Sequence, residues 1–366
     1  MHLHIVSFNV PWPADYGGVI DVYYRIKTLA EQGVKIHLHS YTYGRQEAEV
    51  LNKICEEVHY YRRETGLRHQ WEKKPYIVAS RNSKELIERL KQDRYPILLE
   101  GLHDCYVLEQ LSNEERKIAV RAHNVEHEYY RSLSQAERNP WKRFFFRLES
   151  CKLKSYEPIL TRATAVLAIS EKDAQHFRDI GCKRVVVVPP SHRHTQVSSA
   201  LGRGEYILYH GNLSVAENVR AVDYIAKNLI ANTEYSFVVA GRDPDEGIQN
   251  QLKQYDNVTL VPNPTDAMMQ KLVAEAHVNL LVTDQATGVK LKLMNALYEG
   301  RFCLVNPLMV EGTKLGEACE VASTPTAMVE ALDRLMSTEF TESELAKRKE
   351  TLAKAEGYLD FKNILL

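Results

Sequence analysis

The 366-residue sequence has no Cys-x-x-Cys pair, and its six cysteines, at 55, 105, 151, 182, 303 and 319, lack paired metal-ligand spacing. In a chain of this length they read as reduced thiols of a cytoplasmic protein, not as a disulfide framework. No apolar run approaches the roughly 18 residues that a membrane-spanning helix needs. The opening MHLHIVSFNVPWP has neither the charged start nor the apolar stretch of a signal peptide and reads as a strand. Neither sign of charge dominates: 47 Lys and Arg stand against 48 Asp and Glu, whereas a general nucleic-acid binder would carry a basic excess. G-x-G-x-x-G, the P-loop and G-x-S-x-G are all absent, which argues against nicotinamide-type Rossmann enzymes, P-loop NTPases and serine hydrolases. H-E-x-x-H is missing too, and the formal D-x-D at Asp243-Pro244-Asp245 reads as a loop. No metal site is expected.

What the sequence does contain is a regular alternation. Hydrophobic residues make up 44% and charged residues 26%, an ordinary globular composition. Short β-branched runs at Ile5–Phe8, Val34–His39, Pro96–Glu100, Ile118–Arg121, Ala165–Ile169 and Arg184–Pro189 are separated by amphipathic stretches. One is Val19–Gln32, with Gly33 as its stop; another is Ser83–Gln92, with Ser83 as its cap. Between Pro189 and Gly204 the rhythm breaks into Pro, Ser, His and Gly, which reads as a linker or hinge. It then restarts with strands at Tyr206–His210, Phe237–Ala240, Val258–Val261, Val278–Val282 and Cys303–Asn306. This pattern predicts an α/β protein with two Rossmann-like, doubly wound domains facing a cleft. The expected boundaries are 1–190 and 204–345, with a C-terminal helix, 346–366, that crosses back to the first domain.

Four motifs stand at predicted strand ends. PWPADYGG, with Gly17 and Gly18, follows the first strand and opens a helix, a setting where backbone N–H groups suit a phosphate. Tyr209-His210-Gly211-Asn212-Leu213-Ser214 repeats the device in the second half, with Asn212 as a donor and Ser214 as the cap. Thr287-Gly288-Val289-Lys290-Leu291-Lys292 places two ammonium groups beside a helix start, suited to an anionic leaving group. Arg121-Ala122-His123-Asn124 follows a strand, and His123 there suits a hydroxyl partner; Glu100-Gly101-Leu102-His103 is a weaker parallel. The stretch 138–154 mixes six basic residues with Trp141, Phe144, Phe145 and Phe146. Its aromatics are expected to enter the first core; the other reading is contact with an anionic membrane surface.

In this order, PWPADYGG, RAHNVEHEYY, LAISEKDAQHF, YHGNLSVAENVRAVDYI, VVAGRDP and TGVKLKLMNALYEGRFCLVNPLMVEGT, the sequence resembles family 4 glycosyltransferases of the GT-B fold, of the bacterial surface-polysaccharide type. The resemblance implies a nucleoside-diphosphate sugar donor held mainly by the second domain, transfer with retention, and no obligatory metal or other cofactor. It places Gly17 and Gly18 toward the donor phosphates and His123 near the transferred sugar. Gly211 matches the glycine of the second domain's first turn, and Gly241 and Arg242 the strand end beside the nucleoside. Lys292 matches the basic residue facing the diphosphate, with Lys290 beside it. The family's E-x7-E carboxylates fall on Thr287 and Asn295, neither acidic; Asn295 retains hydrogen bonding to a ribose. A hexose, mannose first, transferred to a glycan or lipid-linked acceptor in polysaccharide biosynthesis is the expected reaction, in the cytoplasm or at the inner membrane face. Two alternatives stay open: a catalytically degenerate relative acting as a binding partner, and a nucleotide-sugar epimerase of the same fold.

Overall fold

The computed structural model describes residues 1–70, 72–111, 115–137, 139–284 and 291–356. The chain divides into two compact units, with the break between Arg193 and His194. In the first, β1 (His2–Ser7), β2 (Lys35–Thr42), β3 (Glu57–Arg62), β4 (Ile97–Glu100), β5 (Ile118–Ala122), β6 (Ala165–Ala168) and β7 (Val185–Val187) form a sheet of order β3-β2-β1-β4-β5-β6-β7. Every pairing is parallel. All residues of β4, β5 and β6 are buried, as expected for strands covered on both faces. Alternate side chains feed two cores: Leu99 and Val120 enter one, Leu98 and Ala119 the other.

Helix Gly17–Glu31 buries Val19, Val22, Ile26 and Leu29 at helical spacing. Gly33 stops it at φ +80°, and the Val34 N–H turns back to the Leu29 carbonyl at 3.0 Å. Ser83 caps helix Lys84–Leu90 by accepting from the Leu86 N–H at 3.2 Å.

The second unit repeats the plan. β8 (Ile207–Asn212), β9 (Phe237–Arg242), β10 (Val258–Pro262), β11 (Val278–Leu281), β12 (Phe302–Val305) and β13 (Glu320–Val321) run in the order β10-β9-β8-β11-β12-β13, again all parallel. In both sheets the strand order reverses beside the first strand, at β1/β4 and β8/β11. In doubly wound sheets ligands bind at the carboxyl ends of the strands at that point.

The segment read as a linker is docked at its far end. The Ser198 N–H bonds the Tyr298 carbonyl at 2.7 Å, and Gly202 forms an antiparallel bridge with Phe340. Backbone groups with no helix or ladder of their own find partners on the second unit. Helix Glu342–Glu356 packs there too: Leu352 joins the Leu293–Leu297 cluster and Arg348 donates to the Gly300 carbonyl at 2.6 Å. Of the 346–366 segment expected to cross back to the first domain, residues 357–366 lie outside the described residues.

Helix Pro140–Tyr156 corrects the expectation for its aromatics. Its inward stripe is Phe145, Glu149, Leu153 and Tyr156, with Glu149 fully buried and accepting from the Tyr76 N–H at 2.6 Å. A helix docks one stripe only, so Trp141 and Phe144 point away from the core, 81% and 65% exposed. Among the described residues no helix is long and apolar enough to cross a membrane.

One face of the first sheet is lined with histidines. His4 Nδ1 lies 2.9 Å from His39 Nε2, and His4 Nε2 3.0 Å from Asp93. Burial pushes His4 down to about 4 and His39 well below the ordinary value. Both are neutral in the folded protein, while the unfolded chain protonates them near pH 6.5, so their contribution is complete above pH 6.5 and shrinks as pH falls. In urea melts, the stability difference between the wild type and His4→Gln should therefore move against the wild type below pH 6.5. The change is about 1.4 kcal/mol per pH unit down to about pH 4. A difference constant from pH 7.5 to 5 would show that His4 is not held neutral.

Candidate functional site

At the reversal point of the first sheet, the end of β4 supplies Glu100, the end of β5 supplies Arg121 and His123, and helix Gly17–Glu31 supplies Asp21 and Arg25. All five are buried. Arg25 bridges Asp21 and Glu100, the latter at 2.5 Å, and Arg121 Nε reaches the other Asp21 oxygen at 3.0 Å. The Ser191 N–H closes on Asp21 at 2.6 Å. His123 Nε2 is committed to Glu100 at 3.0 Å, and its Nδ1 stands 3.5 Å from Asp21. Burial alone would raise both carboxyls; the Arg121 and Arg25 guanidiniums hold Asp21 far below its ordinary value, and Arg25 with His123 holds Glu100 down.

Gly17 and Gly18 open the helix that carries Asp21, with Tyr16 as N-cap and no side-chain cap. Gly18 packs on Phe8, where a Cβ would sit 2.9 Å from the ring, and the same ring meets His123 edge-on at 5.6 Å. The fold thus gathers Gly18 and His123 around Phe8, with Gly17 one residue earlier at the helix start.

In the second unit, Gly211 pairs with Gly241 and Asn212 with Arg242 across the ends of β8 and β9. A Cβ on Gly241 would lie 1.9 Å from the Gly211 carbonyl, so no larger residue fits that strand end. Helix Ala216–Asn228 starts just beyond the turn. Ser214, expected as its cap, is not: Val215 is the N-cap, without a side-chain bond, because Asn212 Oδ1 already holds both the Ser214 N–H and hydroxyl, at 3.0 and 2.7 Å. Lys292, on helix Leu291–Glu299, donates to Asn218 Oδ1 at 3.2 Å and lies 5.3 Å from the Tyr209 ring centre. Asn218 also accepts from Tyr209 Oη at 3.0 Å and donates to the Asn212 carbonyl at 2.9 Å. One amide therefore ties Gly211, Asn212 and Lys292 into a single cluster. Burial and the Lys292 charge push the neighbouring His210 down to about 3.

Asn295 sits further along the Lys292 helix, and its carbonyl accepts from His194 Nε2 at 2.8 Å while the His194 ring stacks on Tyr298. Arg242 is exposed and 3.7 Å from Asp266. Thr287, Gly288 and Lys290 lie outside the described residues. A pocket of about 400 Å³ is lined by Arg220, Tyr224, Thr283, Asp284, Asn306 and Met328, and among the described residues it takes none of the predicted ones. Sequence reasoning missed Asp21, Arg25 and Asn218. The first two occupy one helix at i, i+4, a spacing usual for solvated ion pairs, and Asn218 sits inside a helix with nothing to distinguish it.

No family model matches the chain. A curated relative from Klebsiella pneumoniae, described as an uncharacterized 44.6 kDa protein in the cps region, is 24% identical over 328 residues, 84% of each chain. Among solved structures, the lipopolysaccharide outer core galactosyltransferase WaaB aligns with TM-score 0.63 at 13% identity, over 99% of this chain and 98% of that one. The Anabaena protein HepE, solved with UDP and glucose, aligns with TM-score 0.61 at 11% identity, over 100% and 97%. A Burkholderia xenovorans trehalose-phosphate synthase gives 0.62 at 11% identity, over 97% and 96%. This is the GT-B fold. At these identities the similarity carries the fold alone; in GT-B terms, the two residue clusters sit at the reversal points of the two sheets.

Arg25→Met would leave Asp21 and Glu100 buried with half their compensation. A loss of about 3–5 kcal/mol in urea melts is expected. A loss under 1 kcal/mol would mean that the network does not hold this end of the sheet.

Proposed function

We propose that the protein is a retaining glycosyltransferase that moves a hexose from a nucleoside-diphosphate sugar to a glycan or lipid-linked acceptor in polysaccharide biosynthesis. The observation that carries this reading is the pair of clusters at matching reversal points: a histidine set between carboxylates in one unit, and an ammonium held at a glycine turn in the other. The solved GT-B relatives include a galactosyltransferase and a protein with bound UDP and glucose, which supports a nucleotide-sugar donor. The Klebsiella relative's cps designation supports a role in surface polysaccharide.

In this reading the acceptor hydroxyl attacks the anomeric carbon from the face on which the diphosphate departs. The C–O bond to the diphosphate breaks as the new glycosidic bond forms, and the departing diphosphate takes the acceptor proton. No carboxylate base and no metal ion is required. Lys292, with Lys290 and the helix N-termini behind Gly17, Gly18 and Gly211, stabilises the growing phosphate charge. His123, held between Glu100 and Asp21, lines the side of the transferred sugar. Gly241 and Arg242 flank the nucleoside, Asn212 donates to the donor, Thr287 and Gly288 line the sugar side, and Asn295 holds the ribose. Mannose is the first candidate sugar and a UDP-linked hexose the second.

The acceptor side is proposed to work at the inner face of a membrane. Trp141, Phe144 and Leu148 form an exposed stripe along one helix, with Lys142, Arg143 and Arg147 exposed beside them. Such a stripe inserts among lipid headgroups while the cations pair with anionic lipid.

Thermal melts against UDP-, GDP-, dTDP- and CMP-sugars should give a rise of several degrees for one base family. Lys292→Ala should cut transfer from that donor about a hundredfold at unchanged melting temperature. A cooperative melt that no nucleotide sugar moves would sink the reading. Separately, the chain should sediment with phosphatidylglycerol vesicles at low salt, and Trp141→Ser with Phe144→Ser should release it. Equal sedimentation of the two proteins would remove the stripe from any membrane role.

A further inference from the structure

Behind the loop that carries His123, three side chains converge. His127 lies on helix Glu126–Ala136, Glu157 at the start of the 3-10 turn Glu157–Arg162, and His176 on helix Glu171–Asp179. One ligand-capable atom from each lies within 4.8 Å of the other two. His127 Nδ1 is 3.2 Å and His176 Nε2 2.7 Å from Glu157 Oε2. We propose that these three residues form a binding site for a single divalent cation of the zinc class.

The chemistry of the set selects that class. Two imidazoles with one carboxylate are borderline donors that suit Zn²⁺ or Co²⁺, whereas Mg²⁺ and Ca²⁺ take oxygen. Donors bonded at about 2.0–2.2 Å around a tetrahedral ion stand roughly 3.3–3.5 Å apart, which His127 and Glu157 already match at 3.2 Å, while His176 and Glu157, at 2.7 Å, must part slightly. A small swing of the Glu157 carboxylate then opens the centre for the ion. The backbone at His127 is fixed by its carbonyl, which accepts from Ser150 Oγ at 2.8 Å, and Glu157 is only 3% exposed. His176 stands at the rim, its side chain 26% exposed, and provides both the way in and the side on which water completes the coordination.

Further carboxyl groups stand close by. Glu126 is buried beside His127 in the sequence. Asp173, one turn before His176, has a buried Oδ2 with no hydrogen-bond partner in the structure. A cation among these groups relieves the repulsion between neighbouring carboxylates. The ion would stitch together the helices that follow β5 and β6, and so brace the chain immediately after His123. Its ligands come from three elements, 30 and 19 residues apart, so no short motif announces them. This inference stands independently of the proposed transfer reaction.

The test uses the full, untagged chain after chelator treatment. Titration with Co²⁺ should develop the visible d–d bands of a tetrahedral site and saturate at one ion per chain, and Zn²⁺ should abolish the bands and raise the melting temperature by several degrees. His176→Gln, a rim change that leaves the packed core intact, should melt cooperatively without metal and lose both the bands and the Zn²⁺ shift; His127→Gln should do the same. His37→Gln with His59→Gln, which alters the histidine face of the first sheet, should keep both. Absence of bands in the wild type, or bands and a Zn²⁺ shift that persist in folded His176→Gln, would overturn the site and leave the trio as a hydrogen-bonded His–Glu–His bridge.

Discussion

Two arginines and two carboxylates, buried together beneath the histidine at the end of β5, set the geometry of the first unit. Asp21 is the centre of that arrangement. It receives Arg25, Arg121 and the Ser191 N–H, and His123 faces it from the side. Groups from the first helix, from β5 and its end, and from the end of the unit's chain are therefore positioned by one carboxylate. Buried ions of this kind add little net stability, because desolvation consumes most of the attraction. What they do supply is a fixed direction: the imidazole cannot turn without stranding Glu100.

The second unit reaches a comparable rigidity by a different route. There the constraint is steric, a pair of glycines at the ends of two neighbouring strands whose backbones nearly touch. Asn218 supplies the polar half. It braces the Gly211 turn and holds Lys292 with the two ends of the same amide. The two units share a sheet plan but hold their key side chains differently, with ion pairing in one and close backbone contact in the other.

Much of the architecture was legible in the sequence because fully buried parallel strands leave a strong signal. Ile97–Glu100, Ile118–Ala122 and Ala165–Ala168 are short apolar runs with turn residues after them, and helices of 3.6-residue period lie between. Gly33 and Ser83 act as their residue types predict. Of the candidate clusters, the sequence marked positions where chemistry meets a strand end, as at His123 and Gly211, or a helix start, as at Lys292. Asp21 and Arg25 were not, since an acid and a base four apart on a helix usually sit in water; only the tertiary fold shows that this pair faces inward. The aromatics of 140–156 misled for the opposite reason. Periodicity gives a stripe but not which stripe docks, and here Glu149 goes in while Trp141 stays out. Ser214 was displaced as a cap by a competing side-chain acceptor two residues earlier, a local contest that residue preference cannot decide.

The docked half of the connecting segment determines where this chain can be divided. A fragment beginning at Gly204, three residues before β8, would lose the Gly202–Phe340 bridge, the Ser198 bond to Tyr298, the Ser199 hydroxyl that meets Arg348, and the His194 ring that engages Asn295. One beginning at His194 keeps them all. The second compact unit thus begins thirteen residues before its first strand. Grafting, splitting or permuting the chain should respect the seam at 193/194.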